Sequence, residues 1–178
     1  SRAERGDNAG ARAAYEAAVA AGSSLAVSMT ELDQVLERLD VSRQERLELL
    51  ERHRATVLST DPSIKRLVSL YVQLGRHRDA LETLAARRFH CWEGGYDVHR
   101  YWVEANLALG DQAFSRGEYT AALDYYRAAM SYPDNLEVKA QPGVKYTREN
   151  YKAGAALEAL GRKKEARELY FAVVSDSL

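Results

Sequence analysis

A four-point pattern recurs four times along the chain: a glycine, a small residue five positions on, a large residue four further, and a third residue three beyond that. It reads Gly6, Ala11, Tyr15, Ala18, then Gly75, Ala80, Leu84, Arg87. It returns as Gly117, Ala122, Tyr126, Ala129 and as Gly161, Ala166, Tyr170, Val173. Steps of four and three keep the last three residues on one helix face. The glycine suits a tight interhelical turn, where a left-handed backbone costs it least. The small residue marks where a neighbouring helix comes closest. Recurrence of this kind restricts the chain to stacked helix pairs. Ala, Leu, Glu and Arg dominate, proline occurs only at 62, 133 and 142, and no segment sustains period-two alternation, so the fold class is all-α.

Upstream positions extend the pattern into a second helix. Gly110 stands twelve residues before Ala122, and Gly154 twelve before Ala166. With these included, NLALGDQAFSRGEYTAALDYYRAAMSYPDN resembles the tetratricopeptide consensus, with Pro133 about one residue early. TRENYKAGAALEALGRKKEARELYFAVV resembles it again through Gly154, Leu160-Gly161, Ala166 and Tyr170. The resemblance implies a right-handed α-solenoid of antiparallel helix pairs.

The pattern glycines are 69, 42 and 44 residues apart, against about 34 for a standard unit. The first interval has room for a degenerate unit over 25–60, with two helices (MTELDQVLERL and SRQERLELLERHRATVLS) parted near Asp40-Val41. The other intervals contain insertions. The expected units are residues 1–22 (partial), 25–60, 61–87, 101–131 and 145–176, with insertions 88–100 and 132–144. These make about four and a half repeats. Starting on a second helix and lacking a polar capping helix after the last, residues 1–178 read as one solenoid fragment of a larger protein. Its cut ends predict a monomer or a weak dimer.

Both insertions join the second helix of one unit to the first helix of the next, so they emerge on one edge of a solenoid. Phe89, His90, Trp92, Glu93 and Tyr96, with Asn135 from the second insertion, form a candidate docking loop. For Phe89 and Trp102, which lead into helices, packing into the wedge under a long loop is the simpler reading. Trp92-Glu93-Gly94-Gly95 suits stacking on a sugar or gripping a partner loop, and equally suits packing. His90, Cys91 and His99 match no zinc-ligand spacing, so no metal is expected.

Residues 88–175 carry a second, narrower resemblance, through Phe89, His90, Trp92, Glu93, Gly94, Gly95, Tyr132, Pro133, Asn135 and Leu136. They are similar to the C-terminal repeat region of bacterial proteins that bear a large N-terminal β-rich domain. That resemblance implies a carbohydrate-active parent whose catalytic groups lie outside this segment.

First helices line the concave face of tetratricopeptide arrays, and the expected groove residues are Lys65, Ser69, Asp111, Arg148, Tyr151 and Lys152. Lys65, Arg148 and Lys152 stand where the chaperone-tail clamp of such arrays has basic residues. Ser69 and Ala108 replace its asparagines, and Glu104 and Asp111 add negative charge, which argues against that ligand. A solvated helix face is the plainer account of most of these charges.

Lys+Arg of 25 against Asp+Glu of 26 leaves no basic excess for nucleic acid. No apolar run approaches the about 20 residues needed to span a membrane. Cys91, the single cysteine, allows no internal disulfide and fits a cytoplasmic setting. No phosphate loop, nucleophile elbow or zinc-helix motif is present, and no cofactor is expected. The sequence therefore predicts a non-catalytic scaffold that docks a protein, a peptide or its own parent N-terminal domain. The alternative is an accessory region of a carbohydrate-active enzyme, with the Trp92-Glu93 loop near its substrate cleft.

Overall fold

Gly75, Gly117 and Gly161 share a φ of +76°, the left-handed turn conformation that their place in the repeat requires. They come from a computed structural model that describes residues 10, 13, 17, 25–90 and 96–175. Among these residues every regular element is helical. The chain divides into two compact units, one running to Thr83 and the other from Leu84.

The first unit contains α1 (Leu25–Arg38), α2 (Arg43–Arg52), the short α3 (Arg54–Val57) and α4 (Asp61–Gln73). The turn after α1 uses Asp40 at a φ of 54°. A capping box then starts α2: the Glu45 amide donates to Ser42 Oγ at 3.2 Å, and the Ser42 amide donates to Glu45 Oε2 at 3.3 Å. Pro62 lies in the first turn of α4, where its missing N–H leaves no helical bond unmade. Met29, Leu32, Leu36, Leu47, Leu50 and Leu67 close the core. The sequence predicts one second helix here, but it is interrupted at His53. No side chain between Glu51 and Thr56 is buried, so packing does not hold that stretch to a single helical line.

The second unit contains the C-terminal turn of α5 (His77–Ala85), then α6 (Tyr96–Ser115), α7 (Tyr119–Ala129), a 3-10 turn at Asp134–Leu136, α8 (Thr147–Ala159) and α9 (Lys163–Ser175). Each helix from α6 onward packs on the next. Ala122 and Ala166 sit at these crossings, 0% and 2% exposed. Helix α6 starts earlier than position 101, taking the end of the first insertion into helix, because Val98 is fully buried and anchors the added turn.

The glycines in the first helices do a different job from those in the turns. A Cβ on Gly110 would lie 2.4 Å from the Tyr126 ring, and one on Gly154 would lie 2.6 Å from the Tyr170 ring. Each glycine therefore seats the tyrosine of its own partner helix. Among the described residues, no helix is long and apolar enough to cross a membrane.

Candidate docking sites

The two insertions meet. The Phe89 amide donates to the Asn135 carbonyl at 2.8 Å. The Asn135 side chain donates from Nδ2 to the Leu84 and Arg87 carbonyls, each at 2.8 Å. These carbonyls lie at the C-terminal end of α5, where the last turn of a helix leaves acceptors without an intrahelical donor. Arg88 pairs with Glu137 at 2.7 Å across the same junction. His99 stacks on Tyr132 with ring centroids 3.9 Å apart, and its Nε2 donates to the Ser131 carbonyl at 3.0 Å. Burial, then a hydrogen bond with Tyr146, pushes the Tyr132 phenol up to about 12. Trp102 donates from Nε1 to the Ala128 carbonyl at 2.8 Å.

This arrangement gives two of the docking-loop candidates structural partners, and for Phe89 it agrees with the simpler reading of packing. Phe89 is 1% exposed and belongs to the core, and the Asn135 amide is a helix-end cap. Of the other candidates, His90 is exposed. Trp92 and Glu93 lie outside the described residues, and Tyr96 is described by its backbone alone. Replacing Asn135 with alanine is expected to cost about 1–2 kcal/mol by stripping both carbonyls of their donor. Asn135→Asp should be worse than Asn135→Ala, since it turns carboxylate oxygens toward the same acceptors. Urea denaturation of the three proteins checks the order.

The groove residues of the second unit also come together. Arg148 Nη2 lies 3.1 Å from Glu104 Oε1, and its Nε lies 3.6 Å from Glu149. Lys152 Nζ donates to both oxygens of Asp111, at 2.7 and 2.9 Å. Asp111 Oδ1 accepts in addition from the Tyr126 hydroxyl at 2.8 Å. Burial first, and then this carboxylate, hold the Tyr126 phenol well above its ordinary value. Lys152 also stands 5.9 Å from the centroid of the Tyr126 ring.

The two cations are therefore matched, one to one, by carboxylates on α6. Among the described residues of this face, neither Arg148 nor Lys152 is a free cation. Tyr151, between them in sequence, is 61% exposed and tilts toward Tyr170 at a centroid distance of 6.0 Å. Leu107, also on α6, is 4% exposed and packs in the core. Lys65 and Ser69 lie half-buried on α4 in the first unit, where Gln73 donates to Ser69 Oγ at 2.8 Å. The neighbouring Arg66 is bonded to Asp33 and Glu37.

Paired antiparallel helices, positive-φ turn glycines and small residues at the crossings define a tetratricopeptide-like α-solenoid fold. Two solved structures share it, both of MamA. The "Crystal structure of MamA protein" aligns with a TM-score of 0.53 at 17% identity, over 98% of this chain and 85% of that one. The "Crystal structure of MamA" aligns with a TM-score of 0.53 at 18% identity, over 99% of this chain and 92% of that one. At these identities the likeness is one of fold. No protein-family model matches the chain.

Proposed function

We propose that this chain is a non-catalytic docking scaffold whose second unit presents the α6/α8 face to another protein, or to a neighbouring domain of its own parent chain. One observation carries the reading: a tyrosine that is 61% exposed, Tyr151, stands among ion pairs that hold their side chains in fixed positions. Tyrosine supplies a large amphipathic contact at little conformational cost, which is why it anchors interfaces. Charges already neutralised within the face set orientation and reject like-charged partners more than they add affinity. The tetratricopeptide-like fold supports the same reading, because its helices leave long ridges open to a partner.

A photo-crosslinker placed at position 151 tests it in extract of the source cell. A defined adduct is expected, either with another protein or with a segment of the parent chain. In the reconstituted complex, Tyr151→Ala should weaken binding at least about tenfold. The same substitution should change folding stability by no more than about 0.5 kcal/mol, as befits an exposed side chain. Adducts at control surface positions but none at 151 would place docking elsewhere. No adduct at any position would count against a scaffold.

A further inference from the structure

We propose that the outer face of α9 is a second docking site, built for an acidic amphipathic helix of a partner protein. The inference rests on the scaffold reading above but on different residues. The repeat places α9 in register with α7 at an offset of 44, the interval from Gly117 to Gly161. Along α7 the residues at these register positions are Tyr119, Leu123, Arg127 and Met130: Leu123 is 2% exposed in the core shared with α8, Tyr119 packs on Phe114 of α6, and Arg127 is exposed. At the Leu123 position the structure thus shows what covers such a face in this protein: another helix.

On α9 the equivalent stripe is Lys163, Arg167, Phe171, Val174. Its N-terminal half has exchanged apolar residues for cations, and its C-terminal half has exchanged an arginine for a phenylalanine. Phe171 is 72% exposed and Val174 is 58% exposed. A face meant only for water would be polar throughout, as the outer faces of terminal repeats are. A face meant for another copy of α8 would keep an apolar residue at 167, the register position of Leu123. This one is half cationic and half apolar, over about 16 Å of helix at 1.5 Å per residue.

The charges are available. Arg162 occupies Glu165, with contacts of 2.7 and 2.6 Å. Glu158 accepts from the Tyr170 hydroxyl at 3.1 Å. Among the described residues no ion pair reaches Lys163 or Arg167. Both line an open depression of about 170 Å³ whose other walls are Glu158, Ala166 and Tyr170. Complementarity then specifies the occupant: about three turns of helix, with carboxylates toward Lys163 and Arg167 and apolar side chains toward Phe171 and Val174.

The test uses two fluorescein-labelled helical peptides with one apolar face in common, flanked by glutamates in the first and by lysines in the second. Fluorescence anisotropy with the full chain is expected to show the acidic peptide binding at least about tenfold tighter, an advantage that added salt reduces. The K163E/R167E variant should reverse the preference. Phe171→Ser should weaken the acidic peptide at least about tenfold while leaving the circular dichroism unchanged.

Equal binding of the two peptides, or a preference unmoved by K163E/R167E, overturns the proposal. So does self-association that Phe171→Ser abolishes, which would make a second copy the occupant. Competition of the acidic peptide by vesicles of anionic lipid would likewise replace the helix with a membrane surface. Failure of the peptide alongside capture at position 151 removes this site alone, whereas failure of both removes the scaffold reading as well.

Discussion

Asp33→Ala is expected to destabilise the first unit by about 3 kcal/mol, a large fraction of what a domain of this size has to lose. Asp33 is 1% exposed, and Arg46, its bidentate partner at 2.8 and 3.0 Å, is 5% exposed. Arg66 from α4 bonds the same carboxylate, and both arginines reach Glu37, at 3.1 Å from Arg46 and 2.6 Å from Arg66. Four charges thus tie α1, α2 and α4 together. Removing the buried anion leaves a guanidinium in the core with only the half-exposed Glu37 as counter-charge. Because Glu37 remains, the expected cost lies at the low end of the 3–5 kcal/mol range typical of a broken buried pair.

Urea denaturation, together with hydrogen exchange over residues 29–71, reads the loss. Asp33→Leu combined with Arg46→Met should recover most of it, since apolar side chains of similar size need no counter-charge. A small loss in Asp33→Ala would mean that the network orders the helices without stabilising them. The same network gives the unit an acid limit. The Arg66 hydrogen bond holds the Glu37 carboxyl below its ordinary 4.5 in the folded state. Its contribution is therefore complete above that value and is lost as pH falls through the depressed one. Glu37 is 49% exposed, so that share of the acid sensitivity is modest.

The repeat was legible because its residues answer to local rules. Gly75, Gly117 and Gly161 must turn left-handed, and Ala80, Ala122 and Ala166 must let a helix approach. Asp33 carried a signal that went unread. It falls within the helical stripe Met29, Leu32, Asp33, Leu36, so the periodicity alone marks it as a buried charge in need of a partner. The partner was not legible, because Arg46 and Arg66 reach it from two other helices.

The groove shows the same limit. Lys152 and Arg148 look like free cations along the chain, and the carboxylates that neutralise them are 41 and 44 residues away. In the insertions, composition cannot separate a core aromatic from a docking one. Phe89 is core, 1% exposed, and its amide is bonded to Asn135 in a loop far along the chain. By its repeat pattern α9 reads as one more second helix. The exchange of Leu123 for Arg167 and of Arg127 for Phe171 emerges only once the two helices are laid in register.

Gly110→Ala should destabilise the second unit by about 1–3 kcal/mol, although alanine is the better helix former by about 1 kcal/mol. The added Cβ would stand 2.4 and 2.7 Å from two carbons of the Tyr126 ring. That ring is 2% exposed, and its hydroxyl is fixed on Asp111 at 2.8 Å, so it cannot swing aside without breaking a bond that also orders Lys152. Gly154→Ala meets Tyr170 at 2.6 and 3.0 Å, but that ring is half-buried and its bond to Glu158 is longer, at 3.1 Å. Its cost should therefore be clearly smaller.

The unit around α4 and α5 points to the rescue. There the register position of Gly110 holds Val68 and that of Tyr126 holds Leu84, so bulk has moved from one helix to the other. Gly110→Ala combined with Tyr126→Leu should accordingly be more stable than the sum of the single changes predicts, by more than about 0.5 kcal/mol. Urea midpoints of the four proteins close the cycle. Stabilisation by Gly110→Ala alone would show that the tyrosine can move aside, and the small residue in the first helix would then need another explanation than the ring it faces.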